Sequence, residues 1–508
     1  MKFLNLFIIP FVVLTLACSP LAASGSAQPV RAAASEADDF TAIDAFIVDQ
    51  LDTLNVPGAS WAIVTGDQIV HTQSYGSGMK GQAPTAQTPF FIGSLTKSFT
   101  ALAVMQLVEA GRVDLDAPVQ RYLPWFALAG EDTSMPAEPV SVRQLLYQTS
   151  GLSQIPGMRG LGNFYDGPDA IEQLGRVQAR DGLARPAGTV FEYSNSNYNL
   201  LGLIVEAASG ETYSNYVQNH IFEPLDMQHS STSKAAAKQD GLAVGHMMVF
   251  GLPLAVPNLP VPVGSLPSGQ LISNTEDMAH YLIAQLNGGR YGAAQVLSAE
   301  GIKEMHTPAA EVYMFGERMS DYGMGWYVDN SGEEEVVMHW GETPDYFGYL
   351  GMLPEQQRGV VLLVNADQHF YTYPLLDLGN GVADLLAGEE PVKNTWLVLP
   401  WVLRALLLLP VLQIVGMQAA QRRLKRWQTD PAARPGRTKL WLLHFLPPML
   451  LNLIIVALGV GLSASGLFKF SLLFMGDLVA IILMCAALAA VGLVLRTRMM
   501  IPMLKTSR

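Results

Sequence analysis

A serine followed three residues later by a lysine occurs three times in this sequence. On a helix such a pair lies on one face, so the lysine amine can reach the serine hydroxyl. A serine hydroxyl is a weak nucleophile until a neighbouring base takes its proton, and a buried lysine with a lowered pKa can be that base. The spacing therefore offers nucleophilic acyl transfer at Ser77–Lys80, Ser94–Lys97 or Ser231–Lys234.

Sequence context selects Ser94 as the nucleophile. A strand-like run and Gly93 precede it, and the apolar helical run KSFTALAVMQL follows it. Ser94 is then expected at a helix N-terminus, where free backbone N–H groups favour negative charge. The other two pairs lie in a Gly-rich turn and in the polar loop HSSTSK, with no buried helix behind them. Without further motifs, Ser94 would be interpreted only as a helix cap.

Two further motifs match downstream. The triplet YSN occupies residues 193–195, after PAGTVFE, and the triplet HWG occupies residues 339–341. A second YSN at 213–215 lacks the preceding PAGT-x-F and lies at the start of a predicted helix, so the first triplet is preferred. Together with SLTK, the two triplets resemble the motifs of serine β-lactamases, DD-peptidases and their esterase relatives, above all the class C pattern. The resemblance extends over residues 40–385.

The resemblance implies an acylation mechanism. Ser94 would attack a carbonyl carbon and form an acyl-enzyme. Lys97 and Tyr193 would share the proton transfers as a coupled pair, and which of them is the general base stays open. No metal or other cofactor is expected, since the sequence has neither HExxH nor a cluster of Cys and His. A convincing ExxLN-like segment is also missing, which disfavours a class A β-lactamase mechanism.

The resemblance also implies substrate-binding residues. Asn195 would hold the amide of the acyl side chain. His339 belongs to the substrate-binding strand, and Gly341 would let that strand pass close to the substrate. The backbone N–H groups of Ser94 and Glu342 would form the oxyanion hole, which often supplies much of the rate enhancement.

His339 and Trp340 set this chain apart within that resemblance. His339 stands where β-lactamases usually carry lysine, so DD-peptidases, D-aminopeptidases and some esterases are more similar at this position. Trp340 stands where a small hydroxyl residue commonly helps to hold a substrate carboxylate. It therefore predicts a bulky or apolar group near the site, with a packed core side chain as the alternative interpretation.

Composition divides the 508 residues into two regions, an acidic N-terminal one and a basic, apolar C-terminal one. Half of the residues are hydrophobic and only 15% are charged, which indicates membrane segments. The net charge of −13 combines an acidic front with a basic tail, because residues 396–508 contain only Asp430 and Asp477 as acids. The acidic front lacks the basic surface that nucleic-acid binding needs. The two cysteines, Cys18 and Cys485, lie in apolar runs, so the front domain has no disulfide or thiol chemistry.

The N-terminus predicts secretion. Lys2, an apolar run and a stretch of small residues follow one another in the order of a signal peptide over residues 1–27. A retained anchor is less favoured, because the run is short for a span of about 20 residues. Lipidation at Cys18, within TLAC, is a second option.

Three apolar runs near the C-terminus predict membrane spans at residues 396–417, 441–463 and 471–495. The basic loop 418–440 and the tail 496–508 belong in the cytoplasm by the positive-inside rule. The domain before the first span then lies outside the membrane, as the signal peptide also implies.

Two ionisable residues, Arg404 and Asp477, lie within the first and third predicted spans. We predict that they pair, since a lone charge inside a membrane is costly. The alternative, of similar weight, is that Arg404 extends outward to the interface.

Residues 36–390 predict one domain of the α+β class. Strand-like runs open and close it, and helical runs fill the middle. Strands from both ends would form an antiparallel sheet flanked by helices, with an all-helical lobe, which is the β-lactamase/DD-peptidase-like fold that the resemblance implies. The segment VFGLPLAVPNLPVPVG is expected to be a rigid loop, either a lip over the site or a patch touching the membrane.

These observations predict a membrane-anchored extracytoplasmic serine hydrolase that acts on amide or ester bonds of cell-envelope or D-amino-acid-containing substrates. DD-peptidase-like and esterase-like activities compete closely, with β-lactamase third. The alternative is a non-catalytic acyl-binding sensor or scaffold, disfavoured because the inside segments are too short for a folded signalling domain. The expected partners are a small-molecule or peptidoglycan-type acyl substrate and the lipid bilayer, but not nucleic acid. The oligomeric state stays open.

Overall fold

The computed structural model describes residues 40–79, 81–126, 139–165, 167–314 and 316–506. The predicted signal peptide, with the alternative lipidation site at Cys18, lies outside these residues. The described chain forms two compact units. The large unit contains residues 42–403 and 469–476, and the small unit contains residues 404–468 and 477–506.

The main sheet joins strands from both ends of the large unit. Along the described residues the strands are β1 (Gly58–Thr65), β2 (Gln68–Gly76), β3 (Phe90–Phe91), β4 (His246–Val249), β5 (Leu252–Ala255), β6 (Ile272–Ser273), β7 (Arg290–Tyr291), β8 (Ala294–Gln295), β9 (Ala310–Met314), β10 (Glu317–Tyr322), β11 (Tyr327–Asp329), β12 (Val336–Glu342), β13 (Phe347–Leu353), β14 (Arg358–Val364) and β15 (Ala366–Asp367). Eight of them form an antiparallel sheet in the order β2-β1-β14-β13-β12-β11-β10-β9. In its register Trp61 faces Leu362, and Trp340 faces Tyr349.

Helices cover both faces of this sheet. Those of the large unit are Thr41–Leu54, Thr96–Glu109, Val142–Leu146, Gln154–Leu161, Ala170–Ala179, Asn195–Ser209, Tyr213–Val217, Lys234–Gln239, Leu266–Gly269, Thr275–Leu286, Ala299–His306 and Thr372–Ala387. Leu282 packs against Gly359 on one face, and Gly379 packs against Tyr349 on the other. Because both faces are covered, β13 is buried along its whole length, which explains its continuous apolar sequence.

The helix Thr96–Glu109 lies inside the core, with nearly all of its side chains buried. Phe99 stacks on Tyr281 with ring centroids 3.9 Å apart. A helix that is apolar all round is a buried helix, and this one begins two residues after Ser94. The core therefore fixes the position of the serine. The predicted α+β class, with an antiparallel sheet and many helices, is confirmed.

The C-terminal region contains three helical stretches that are long and apolar enough to cross a membrane. They are Thr395–Thr429, Arg437–Ala464 and Gly476–Leu504, with mean hydropathies of 2.1, 2.2 and 3.0. Their individual helices are Leu399–Leu406, Leu408–Thr429, Arg437–Lys439, Leu446–Ala464 and Gly476–Thr506, and the short helix Phe468–Phe474 precedes the last one. Helical structure continues through residues 418–429, in the segment that the sequence predicts as a basic loop.

Candidate active site

Ser94 and Lys97 meet at the start of the buried helix. Ser94 lies in a single turn of 3₁₀ helix, Gly93–Leu95, which joins β3 to that helix. Nζ of Lys97 lies 2.9 Å from Oγ of Ser94. Ser94 is half-buried and Lys97 is fully buried, so the hydroxyl is reachable while its partner amine is shielded.

The lysine amine has two further oxygen neighbours. Nζ of Lys97 donates to Oδ1 of Asn195 at 2.7 Å and to the carbonyl oxygen of Ser268 at 2.6 Å. Burial holds the pKa of Lys97 well below its usual range, which favours the neutral amine. Amide and carbonyl oxygens can only accept hydrogen bonds. A neutral amine that donates to both of them directs its lone pair at the Ser94 hydroxyl.

Tyr193 lies on another side of the serine. Its hydroxyl lies within hydrogen-bonding reach of the Ser94 side chain, and Nζ of Lys97 lies 4.8 Å from the centroid of its ring. Burial raises the pKa of Tyr193; the bond with Ser94 opposes this shift, and the Glu342 carboxylate adds to it. The phenol therefore keeps its proton at neutral pH and can donate it.

Gln148 fixes the turn that carries Tyr193 and Asn195. Its Oε1 accepts a hydrogen bond from the backbone N–H of Ser194 at 3.0 Å and another from Nδ2 of Asn197. Gln148 has a φ of +59°, uncommon for a residue with a side chain. The YSN triplet is thus held by a residue from a separate segment.

Two glycines bring the strand β12 against the serine turn. Gly93 has a φ of +53°, and a Cβ added there would lie 2.5 Å from the backbone nitrogen of Glu342. A Cβ added at Gly341 would lie 1.9 Å from the carbonyl oxygen of Ile92 and 3.0 Å from the backbone nitrogen of Ser94. The approach places the backbone nitrogens of Ser94 and Glu342 side by side, which is the arrangement that an oxyanion hole needs.

His339 lies behind Tyr193, away from solvent. The sequence predicts a substrate contact, yet the side chain is only 1% exposed. Its Nδ1 donates to the carbonyl oxygen of Trp340 at 2.6 Å, and its ring centroid lies 6.4 Å from that of Tyr193. Burial, helped by the nearby Lys97, lowers the pKa of His339 to about 3. In the structure the His339 side chain is buried among aromatic rings, and its predicted contact with substrate stays a prediction.

Trp340 is half-buried and stacks on Tyr327, with centroids 4.5 Å apart and planes 20° apart. This stacking buries part of the indole. The exposed remainder is a bulky apolar surface on β12, the strand that approaches Ser94.

The side chain of Glu342 pairs with that of His369. Its Oε1 lies 2.9 Å from Nδ1 of His369. Burial alone would lower the pKa of His369, but the charge of Glu342 and the hydrogen bond to it raise that pKa overall. The backbone N–H of His369 in turn donates to the carbonyl oxygen of Phe474 at 2.8 Å. The Glu342–His369 pair therefore links the strand β12 to the segment 469–476.

The alternative motif residues lie elsewhere. The hydroxyl of Tyr213 hydrogen-bonds to Thr100 at 2.6 Å, inside the core. Lys80 lies outside the described residues. Lys234 lines a cleft beside the site. The hydroxyl of Ser231 donates instead to the carbonyl oxygen of Ser233 at 3.3 Å, so this serine and lysine do not form a nucleophile–base pair.

Sequence reasoning missed three participants. The carbonyl of Ser268 carries no signal in residue type, Gln148 lies in an unremarkable polar turn, and Lys234 belongs to a pair whose context argued against it. Within the part of the chain that the structure describes, no group of three or more His, Cys, Asp and Glu side chains is placed to hold a metal ion.

The chain is similar to known sequences. The sequence model of the family described as Beta-lactamase matches residues 43–373. The chain is similar to Protein flp of Staphylococcus aureus (strain MW2), with 28% identity over 337 residues, covering 66% of this chain and 64% of that protein. It is also similar to Putative penicillin-binding protein PbpX of Bacillus subtilis (strain 168), with 31% identity over 243 residues, covering 47% and 54%. These matches span less than two thirds of either relative's own length.

Solved structures share the fold. The octameric penicillin-binding protein homologue from Pyrococcus abyssi superposes with a TM-score of 0.61 and 31% identity, covering 70% of this chain and 79% of that one. D-amino acid amidase from Ochrobactrum anthropi SV3 superposes with a TM-score of 0.58 and 23% identity, covering 68% and 98%. The latter similarity concerns the fold alone.

Proposed function

Because this chain belongs to the Beta-lactamase family of serine hydrolases, we propose that Ser94 takes an acyl group from an amide or ester substrate and that water then releases it. The observation that carries the proposal is the 2.9 Å contact between Oγ of Ser94 and Nζ of Lys97, beside two adjacent backbone nitrogens. A nucleophile, its base and an oxyanion hole are the parts that acyl transfer requires.

The proton transfers follow from the lowered pKa of Lys97 and the raised pKa of Tyr193. The Ser94 hydroxyl gives its proton to the neutral Lys97 amine while Oγ bonds to the carbonyl carbon. The backbone N–H groups of Ser94 and Glu342 hold the developing oxyanion, and removing one such donor typically costs about 3 kcal/mol. Tyr193 gives its proton to the leaving amine or alcohol as the C–N or C–O bond breaks, and the proton on Lys97 restores the phenol. Water then attacks the acyl-enzyme, and the acid and free Ser94 result.

We propose that the large unit acts outside the membrane, anchored by the three apolar helices. The basic residues between the first two helices support this orientation under the positive-inside rule, as does the signal-peptide pattern of residues 1–27. Cell-envelope and D-amino-acid-containing amides or esters are then the substrates within reach, so DD-peptidase-like and esterase-like hydrolysis rank above β-lactam hydrolysis.

The test uses the full-length protein in lipid nanodiscs. Turnover of p-nitrophenyl acetate and of a D-phenylalanine anilide is measured beside labelling by fluorescent penicillin. We expect turnover in the wild type and in Ser77→Ala, the matched change in another Ser-x-x-Lys pair, and none in Ser94→Ala. Hydrolysis that survives Ser94→Ala contradicts the proposal. A stable label on Ser94 without any turnover contradicts it in favour of the acyl-binding sensor.

A further inference from the structure

A narrow apolar cleft adjoins the candidate active site. Its apolar walls include Phe91, Leu161, Phe164, Val261, Leu473 and Phe474. The last two lie outside the region 43–373 that the family shares. They belong to the segment 469–476, which is part of the large unit although it directly precedes the last apolar helix.

Three segments of the wall continue into the reaction site. Phe91, in the strand β3, stands three residues before Ser94. Gln270 follows Ser268, whose carbonyl accepts from Lys97. Thr343 follows Glu342, whose backbone nitrogen faces the Gly93 turn. The cleft is therefore built by residues that adjoin, along the chain, the segments that carry Ser94, Ser268 and Glu342.

The segment that carries Leu473 and Phe474 is fixed in place. The carbonyl oxygen of Phe474 accepts from the backbone N–H of His369 at 2.8 Å. The ring of Phe470 stacks on that of Phe474 with centroids 4.5 Å apart, and a Cβ on Gly162 would lie 2.9 Å from Cβ of Lys469. The wall formed by Leu473 is therefore part of the packed structure.

The opposite wall is the Pro-rich stretch 259–262. Nζ of Lys234 donates to the carbonyl oxygen of Leu259 at 2.7 Å and lies 5.6 Å from the centroid of the Phe91 ring. Lys234 thereby holds the stretch over the cleft. Both long walls are apolar, and the polar side chains of the lining are Lys234, Gln270, Thr343 and Asp345.

We propose that this cleft binds the apolar side chain of the acyl group that is transferred to Ser94, and that Leu473 and Phe474 select for it. The inference rests on the proposed hydrolase function and defines its substrate class: an amide or ester whose acyl part carries an aliphatic or aromatic chain. Each methylene buried in the cleft raises kcat/KM by about fourfold, from the transfer free energy of a CH₂ group.

The test uses the full-length protein in nanodiscs with p-nitrophenyl esters of two, four, six and eight acyl carbons. In the wild type kcat/KM is expected to rise with chain length until the cleft, of about 30 Å³, is filled. Leu473→Trp fills the cleft, so the eight-carbon ester loses about tenfold or more, while the acetate ester changes by less than about twofold. Leu472→Trp is the matched control, since the neighbouring Leu472 is 50% exposed. Val261→Trp fills the cleft from the other wall and should reproduce the loss without altering the segment 469–476.

The outcomes separate the two proposals. If acetate turnover depends on Ser94 but kcat/KM does not depend on acyl chain length, the proposal that the cleft binds the acyl chain is wrong and the proposed hydrolase function stands. The same chain-length rise in Leu473→Trp and Val261→Trp as in the wild type also overturns the cleft. No Ser94-dependent turnover of any ester overturns both.

Discussion

Gly341 of the strand β12 lies so close to Ile92 that a Cβ on the glycine would stand 1.9 Å from the carbonyl oxygen of Ile92. A Cβ on Gly93 would in turn stand 2.5 Å from the backbone nitrogen of Glu342 in the same strand. Such distances leave no room for any side chain. The adjacent backbone nitrogens of Ser94 and Glu342 depend on this approach, so the geometry of the oxyanion hole depends on two glycines far apart in sequence.

Replacing Gly341 by alanine should push β12 away from the serine turn. The two backbone donors then no longer converge on one oxygen atom, and kcat/KM for an ester should fall by about 100-fold or more. Gly332→Ala is the control, because a Cβ there meets nothing nearer than 3.8 Å. Activity within a few fold of wild type in folded Gly341→Ala, checked by its melting temperature, would show that the close approach is not needed.

The depressed pKa of Lys97 predicts the pH dependence of acylation. Lys97 acts as the base only when neutral, so kcat/KM should fall as the pH drops through its lowered pKa. The raised pKa of Tyr193 keeps that phenol protonated through neutral pH, so its ionisation should not lower the rate there. The measurement is the pH profile of single-turnover acylation.

A matched pair of lysine variants tests the assignment. Lys97→Met should lower the acylation rate by about 100- to 10,000-fold and abolish the acid limb of the profile, whereas Lys303→Met removes an exposed lysine and should leave both unchanged. A rate that rises only near pH 10 would mean that Lys97 is charged at rest.

Local sequence patterns were sufficient to select Ser94, Lys97 and Tyr193, which the structure brings together. Each stands in a short motif with a helix or strand beside it, and the pattern of apolar residues fixes those elements. The α+β sheet was predictable for the same reason, since β1 and β14 have the sequences of buried strands.

Long-range contacts explain what sequence reasoning could not supply. The carbonyl of Ser268 reaches Lys97 from 171 residues along the chain, and every residue type has a carbonyl. The burial of His339 results from rings on other strands, including Tyr322 and Tyr327. Leu473 lies in an apolar run that the sequence predicts to be a membrane span. Its position in the cleft wall could therefore not be predicted from the local sequence.

Trp340 predicts a weak reaction with β-lactams. Its stacked indole occupies the position beside Gly341 where a small hydroxyl residue would leave room for a substrate carboxylate. Trp340→Thr should therefore raise the rate of fluorescent-penicillin labelling relative to acetate-ester turnover by about tenfold, the value of one added hydrogen bond to a charged group. Trp340→Phe keeps the stacking and is the control. An equal change in both activities would show that Trp340 serves packing only.

His339 predicts a loss of stability in acid. Its pKa is about 3 in the folded protein, against 6.5 for an ordinary histidine, so the unfolded chain binds a proton that the folded one excludes. Stability contributed by the neutral ring is complete above pH 6.5 and is lost as the pH falls towards 3. At pH 5 the loss from this one group is about 2 kcal/mol.

His339→Gln should therefore reduce the difference in unfolding free energy between pH 7 and pH 5 by about 2 kcal/mol relative to wild type. Packing lost in the variant affects both pH values alike and cancels in that difference. His306, whose pKa burial also lowers to about 3, provides a parallel case, and His306→Gln should give a similar reduction. The measurement is urea unfolding followed by tryptophan fluorescence in nanodiscs at the two pH values. A pH difference as large in both variants as in wild type would mean that these rings are already protonated in the folded protein.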